Sequence, residues 1–266
     1  MELGFPLVTA RWLAENISKP NLIVLDASLK SPITKRIPLS RKFDWDQFSD
    51  SAIELPHMMP NELDFTAAAQ ALGINNDSLL VVYDAIGVYA SPRVWWMFKS
   101  MGFTNCYVLN GGLPAWLAQG YDFDDQHMQV FSKGNFEANY DPRCFCNATA
   151  VQNAIDDQDK YIIDARSEER FYGRVDEPRV GLARGHIPNS INIPFEKVLT
   201  QHEMKSKEEL QQVFKNIRKD AELIFSCGSG VTACIDALAA TLIGYQYISI
   251  YDGSWSEWGM DIKNPA

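Results

Sequence analysis

Basic residues are the scarce charge in this chain: 24 Lys and Arg stand against 34 Asp and Glu, a formal net charge of −10. That shortage argues against nucleic acid and against an anionic membrane surface as partners, since both need an excess of positive charge. A small anionic substrate stays open, because a local pair of arginines outweighs a distant negative surface. Histidine is scarcer still, with four residues, and the five cysteines show no paired short spacing. Cys144-x-Cys146 and Cys227…Cys234 lack the ligand pattern of a zinc site, so no metal and no other cofactor is expected. A sparse, odd set of cysteines also excludes a disulfide framework and fits a reducing, cytoplasmic compartment. No run approaches 18 continuous apolar residues, which excludes a membrane-spanning helix. Met1-Glu2-Leu3-Gly4-Phe5-Pro6 has no basic region leading into an apolar core, so no secretion signal is expected.

What is present is ordinary globular composition, 46% hydrophobic and 22% charged over 266 residues, enough for two domains of about 130 residues. The chain repeats itself. Asp84 aligned on Cys227 puts Gly87 on Gly230, Val88 on Val231 and Ala90 on Ala233. In the same order Val24-Leu25-Asp26-Ala27 falls on Ile162-Ile163-Asp164-Ala165, Ile37-Pro38 on Ile187-Pro188, and Trp116 on Trp258. A repeat this long means two copies of a whole domain, since solenoid units run to only about 20–50 residues. The expected division is 1–120, a polar connection at 121–143, and 144–266.

The run Cys227-Gly228-Ser229-Gly230-Val231-Thr232 carries the chemistry. The apolar stretch 221–226 before it reads as a buried strand, and the small and apolar residues 233–243 after it read as a buried helix. A cysteine at such a strand end faces unpaired helix N–H groups, and its two glycines accept the turn. Amides and helix dipole together should lower the pKa of that thiol and make it a nucleophile. The first copy carries Asp84 at the matching place, so cysteine chemistry is confined to the second. Around this loop, strands are expected at 161–165, 223–226 and 247–251 and helices at 206–214 and 233–243. In the first copy, strands at 22–26, 79–83 and 106–109 alternate with helices at 65–72 and 92–101. Alternation of this kind implies an α/β fold, with a parallel sheet covered by helices on both faces in each copy. Thr232 is expected to cap the second helix with its hydroxyl, Cys234 to lie buried in that helix, and His186 to brace a turn.

The duplicated α/β unit with Cys-Gly-Ser-Gly-Val-Thr-Ala at 227–233 resembles the tandem rhodanese-type sulfurtransferases. Gly185-His186-Ile187-Pro188, Asp164-Ala165-Arg166-Ser167, Pro92-Arg93-Val94-Trp95-Trp96 and Tyr251-Asp252-Gly253-Ser254-Trp255-Ser256-Glu257-Trp258 support the likeness. The neutral loop is similar to that of the members that use 3-mercaptopyruvate, where thiosulfate users typically carry basic residues at Gly228 and Ser229. The resemblance implies two tandem rhodanese-like domains, the first non-catalytic, and sulfur transfer through a Cys227 persulfide to a thiol or cyanide. A thioredoxin-like reductant is among the partners it admits. It implies Arg170 and Arg179 as the arginines for the keto-acid carboxylate and carbonyl, with Gly228, Gly230, Val231 and Thr232 as the substrate-binding loop. It further implies Ser229 as a proton relay with His57 and Asp44 from the first copy. The segment between Ser28 and Ile37 is shorter than the family usually shows, and Arg36 stands where a His often precedes Ile-Pro. Three alternatives stay open at this point. One is a thiosulfate:cyanide sulfurtransferase. A second is a persulfide carrier that hands sulfur to a protein partner. The third is a cysteine phosphatase, which needs an Arg where Ala233 stands.

Overall fold

The computed structural model describes residues 6–29 and 34–260. Two compact units divide the chain: residues 1–50, 59–141 and 201–204 form the first, and 51–58, 142–200 and 205–266 the second. The first contains β1 (Leu7–Val8), α1 (Ala10–Asn16), β2 (Leu22–Asp26), β3 (Arg41–Lys42), α2 (Glu62–Ala71), β4 (Leu79–Tyr83), α3 (Ser91–Ser100), β5 (Cys106–Leu109) and α4 (Gly112–Ala118). The second begins with β6 (Phe145–Cys146), α5 (Ala148–Ala154), β7 (Lys160–Asp164), α6 (Glu168–Phe171) and β8 (Ile191–Asn192). β9 (Leu199–Thr200) follows, the chain then gives β10 (Glu203–Met204) to the first unit, and the second continues with α7 (Lys207–Val213), β11 (Glu222–Ser226), α8 (Ala233–Leu242), β12 (Ile248–Tyr251) and α9 (Ser254–Trp258).

The five-stranded sheets have orders β1-β5-β4-β2-β3 and β6-β12-β11-β7-β8, the same connectivity twice, and every pair in them is parallel. Runs such as Leu-Ile-Val-Leu in β2 and Leu-Leu-Val-Val in β4 are apolar throughout because both faces of a parallel sheet are covered. Matching residues enter matching cores. Val24, Ile37, Val81 and Trp116 pack in one cluster of the first unit. Ile162, Ile187, Ile224 and Trp258 do the same in the second.

The connection at 121–141 packs with the first unit. Its Phe136 is buried against Phe65, Phe98 and Phe103, with ring centroids 6.1, 6.2 and 5.5 Å apart. His127 Nε2 lies 2.9 Å from Asp26 Oδ2, which also has the Arg36 guanidinium 3.6 Å away. Asp26 Oδ1 accepts from the Ser28 hydroxyl at 2.5 Å. Burial pushes the Asp26 carboxyl up, but the bonds to His127 and Ser28 outweigh it and hold the group below the ordinary aspartate range. A carboxyl depressed in the folded state stabilises at pH values above its unfolded pKa of about 3.9, and that contribution fades as pH falls through the folded value. Asp26→Asn should therefore lower stability at pH 7 by on the order of 1–2 kcal/mol and by progressively less below about pH 4. Urea unfolding across pH reads this directly; an equal loss at acidic and neutral pH would mean that packing, not charge, is what the substitution removes.

Candidate active site

In the second sheet the chain leaves β7 for β8 on one side, while β11 lies on the other side of β7. The chain therefore leaves β7 and β11 toward opposite sides, a topological switch point of the kind at which ligands gather in open α/β sheets. Cys227 follows β11, and Arg166 to Arg170 follow β7. Cys227 is 1% exposed. Its N–H donates to Ser254 Oγ at 3.2 Å, and its carbonyl accepts from the Trp255 N–H at 2.9 Å. The Gly228 carbonyl accepts from both the N–H and the hydroxyl of Ser256, at 2.9 and 2.6 Å. The start of α9 thus pins the start of the cysteine loop, and Ser254 adopts a left-handed φ of 50° to do so. Gly230, at φ 74°, makes the turn into α8.

The first unit shows what the loop is built to hold. Asp84 Oδ1 accepts from the Ile86 N–H at 3.2 Å. Its Oδ2 accepts from the N–H groups of Tyr89, Ala90 and Ser91, each at 3.0 Å, and from the Ser91 hydroxyl at 2.9 Å. Burial pushes this carboxyl up, and the five donors oppose that rise. By the internal alignment, Ile86, Tyr89 and Ala90 match Ser229, Thr232 and Ala233. The N–H groups of those three donate to no protein acceptor among the described residues. The same cradle is filled by a carboxylate in one copy and offered to the cysteine side in the other.

Arg170 is positioned by Ser167, whose hydroxyl caps α6 by accepting from the Arg170 N–H at 3.4 Å. Its guanidinium lies against the cysteine loop: a Cβ added at Gly228 would come within 3.0 Å of Nη2. Burial disfavours the Arg170 charge, but hydrogen bonds and attraction from Glu177, with a smaller attraction from Cys227, raise its pKa above the ordinary arginine value. Arg179 is exposed, with no hydrogen bond or ion pair among the described residues. Ser229 is half-buried, its hydroxyl likewise unpaired among them. His57 belongs to the same unit as Cys227 and holds a left-handed φ of 62°, a conformation that non-glycine residues adopt at a cost. Asp44 belongs to the first unit, where its oxygens accept from the Asp46 N–H and the Gln47 amide.

Thr232 corrects an expectation. It precedes α8, but at φ −72° and ψ −19° it is already helical, and its hydroxyl makes no capping bond. A capping side chain needs extended backbone at that position. His186 does brace a turn, with Nδ1 2.9 Å from the Phe171 carbonyl and its ring stacked 4.0 Å from that of Phe171. Cys234 is buried in α8. Burial pushes the Cys106 thiol up and that of Cys146 to about 12, which leaves neither suited to attack at neutral pH.

Sequence reasoning missed three features. Ser254 and Ser256 tether the loop, and their motif was read only for likeness. Glu177 carries no signal of its own in the sequence. Asp236 lies wholly buried in the first turn of α8, with neither carboxylate oxygen hydrogen-bonded among the described residues. Burial, with lesser repulsion from Cys227, pushes its carboxyl well above the usual range. Its signal in the sequence is an acid inside an otherwise apolar helix.

With that geometry in view, the likeness to known proteins is direct. The rhodanese-like domain matches residues 9–119 and again 147–261. This chain belongs to the rhodanese-like family, as a tandem member. The 3-mercaptopyruvate sulfurtransferase of Escherichia coli (strain K12) is 37% identical over 97% of this chain and 96% of its own. The thiosulfate sulfurtransferase of Cricetulus griseus is 38% identical over 95% of this chain and 91% of its own. The crystal structure of SseA from Escherichia coli, solved for the rhodanese fold and catalytic mechanism of 3-mercaptopyruvate sulfotransferases, superposes with a TM-score of 0.85. It has 34% identity and covers 96% of this chain and 100% of that one.

Asp84→Ala leaves four amides and a hydroxyl without their acceptor and should cost on the order of 3 kcal/mol in urea unfolding. Asp84→Asn, which keeps one acceptor oxygen, should cost less. A negligible loss in the alanine variant would show that water serves those amides equally well.

Proposed function

We propose that this chain is a sulfurtransferase that takes sulfur from 3-mercaptopyruvate onto Cys227 and passes it to a thiol or cyanide. The observation that carries the proposal is that Cys227 opens a loop whose Ser229, Thr232 and Ala233 amides have no protein acceptor among the described residues, with the Arg170 guanidinium against its Gly228. The Cys227 thiolate attacks the donor sulfur, forming an S–S bond as the C–S bond breaks. The electron pair leaves with the pyruvate enolate, which takes up a proton to become pyruvate. An acceptor thiolate then attacks the outer sulfur, giving the acceptor persulfide and restoring the Cys227 thiolate. The amides of Ser229, Thr232 and Ala233 stabilise the anionic outer sulfur between these steps, as oxyanion-hole donors do for oxygen. The Ser229 hydroxyl, without a partner among the described residues, is assigned as the proton donor to the enolate, and His57, of the same unit, as its relay. Arg170 reads the carboxylate, and the exposed Arg179 joins it on binding. These steps are assigned only to residues of the second unit.

Mercaptopyruvate is favoured over thiosulfate because Gly228 and Ser229 bring no charge to the loop, while Arg170 offers a forked site suited to a carboxylate. A thioredoxin-like reductant and other small thiols suit the acceptor step. Five free cysteines accord with a reducing, cytoplasmic setting. Among the described residues, no helix is long and apolar enough to cross a membrane.

Cys227→Ser should abolish transfer with the fold intact, since an alcohol forms no persulfide. Mass spectrometry of donor-treated wild-type protein should find one added sulfur, on the peptide containing Cys227; sulfur on Cys106 or Cys234 instead would overturn the assignment. Arg170→Ala should cost about 1.5–3 kcal/mol in kcat/KM for mercaptopyruvate, the value of a charge-assisted hydrogen bond. Thiosulfate, which has no carboxylate, should lose less. Matching losses with both donors would mean that Arg170 supports the loop and does not read the substrate.

A further inference from the structure

Glu177 sits in an exposed run, with Asp176, Pro178 and Arg179 all open to solvent, yet its own side chain is 1% exposed. A carboxylate turns inward from such a segment only where charged partners receive it. Oε1 accepts from Arg166 Nη1 at 2.8 Å and from Arg170 Nε at 3.2 Å, and Oε2 accepts from Arg170 Nη2 at 2.5 Å. Arg166 is fully buried and is itself fixed. Asp164 takes its Nε and Nη2, at 3.1 and 2.6 Å, the Gly185 carbonyl takes Nη2 at 2.8 Å, and the guanidinium stacks 4.1 Å over the Trp255 ring. The result is a line of alternating charge, Asp164, Arg166, Glu177, Arg170, running from the end of β7 to Gly228. Glu177 occupies the Nε–Nη2 edge of Arg170. A guanidinium has five N–H donors, so the Nη1–Nη2 edge is left over, which is the geometry for bidentate carboxylate binding.

We propose that Glu177, held by Arg166, is a positioning residue that presents one chosen edge of Arg170 to the carboxylate of a 2-keto-acid sulfur donor. Donor preference then depends on a side chain that touches no substrate. An arginine left to itself samples many rotamers, and ordering it on binding costs affinity. Here the fold has ordered it beforehand. The proposal rests on the sulfur-transfer reading above and deepens it.

The test uses the full chain and two variants, with melting temperatures measured for each. Glu177→Gln keeps the length and drops the charge; Glu177→Asp keeps the charge balance of Arg166 but falls one methylene short of Arg170. Steady-state kinetics with 3-mercaptopyruvate and with thiosulfate should show KM for mercaptopyruvate raised about tenfold or more in Glu177→Gln, the scale of a lost charge-assisted contact. Its kcat should change less than its KM, and thiosulfate should be affected less. Glu177→Asp should give the same donor split at smaller size, and it serves as the test should the glutamine variant fail to fold. Exchange of the Arg170 Nε–H with water, followed by 15N NMR, should be slow in the wild type and faster in both variants. Equal losses with both donors, or an unchanged KM despite faster exchange, would overturn the proposal. If the wild type accepts no sulfur from mercaptopyruvate, the donor assignment fails; faster Arg170 exchange in the variants would still uphold Glu177 as the residue that orients it.

Discussion

Backbone N–H groups at the end of a central strand govern this molecule. A parallel strand that feeds a helix through a tight turn leaves the first amides of that helix without intrahelical partners, and buried amides must find an acceptor. The chain meets this demand twice with different chemistry. After β4 the Asp84 carboxylate accepts them. After β11 the corresponding amides of Ser229, Thr232 and Ala233 have no protein acceptor among the described residues, and Cys227 stands where the carboxylate would. The first copy spends the cradle on its own stability.

Charge around Cys227 is arranged with similar economy. A buried ion pair adds little net stability, because desolvation offsets most of the attraction. Arg166, Asp164 and Glu177, each no more than 1% exposed at the side chain, are therefore poorly explained as a stabilising cluster. They are better explained by what they orient, since the line ends with Arg170 facing Gly228. Glycine at 228 is part of the same arrangement, because a side chain there would press on that guanidinium. On the helix side, burial pushes the Asp236 carboxyl well above the usual range.

Much of the fold was legible because its signals are local. Apolar runs of four or five residues marked the strands, and Leu22–Asp26, Leu79–Tyr83 and Cys106–Leu109 lie where they were expected. The repeat was legible because core positions such as Trp116 and Trp258 tolerate little change. The cysteine loop was legible because strand, glycine turn and helix are contiguous. What escaped depends on residues far apart in sequence. Ser254 reaches back to the Cys227 N–H across the sheet edge, and Glu-Pro-Arg at 177–179 reads as surface until Arg166 and Arg170 draw the glutamate inward. The Thr232 hydroxyl was misjudged for the opposite reason: composition suggests a cap, but the helix is already under way at that residue.

The two copies also differ in what surrounds the loop. In the first, the loop is closed on the inside by Asp84 and on the outside by residues 201–204, which pack with the same unit. The Val88 N–H donates to the His202 carbonyl at 3.0 Å, and His202 Nδ1 lies 2.9 Å from the Ile86 carbonyl. Gly87, at φ 119°, has room for no Cβ, since one would stand 2.7 Å from His202. Gly111 is pressed in the same way by Glu203, whose Oε2 accepts from Asn110. Where the second unit sets Arg170 against Gly228, the first sets His202 against Gly87, so the two loops differ in their neighbours as much as in the residue each carries.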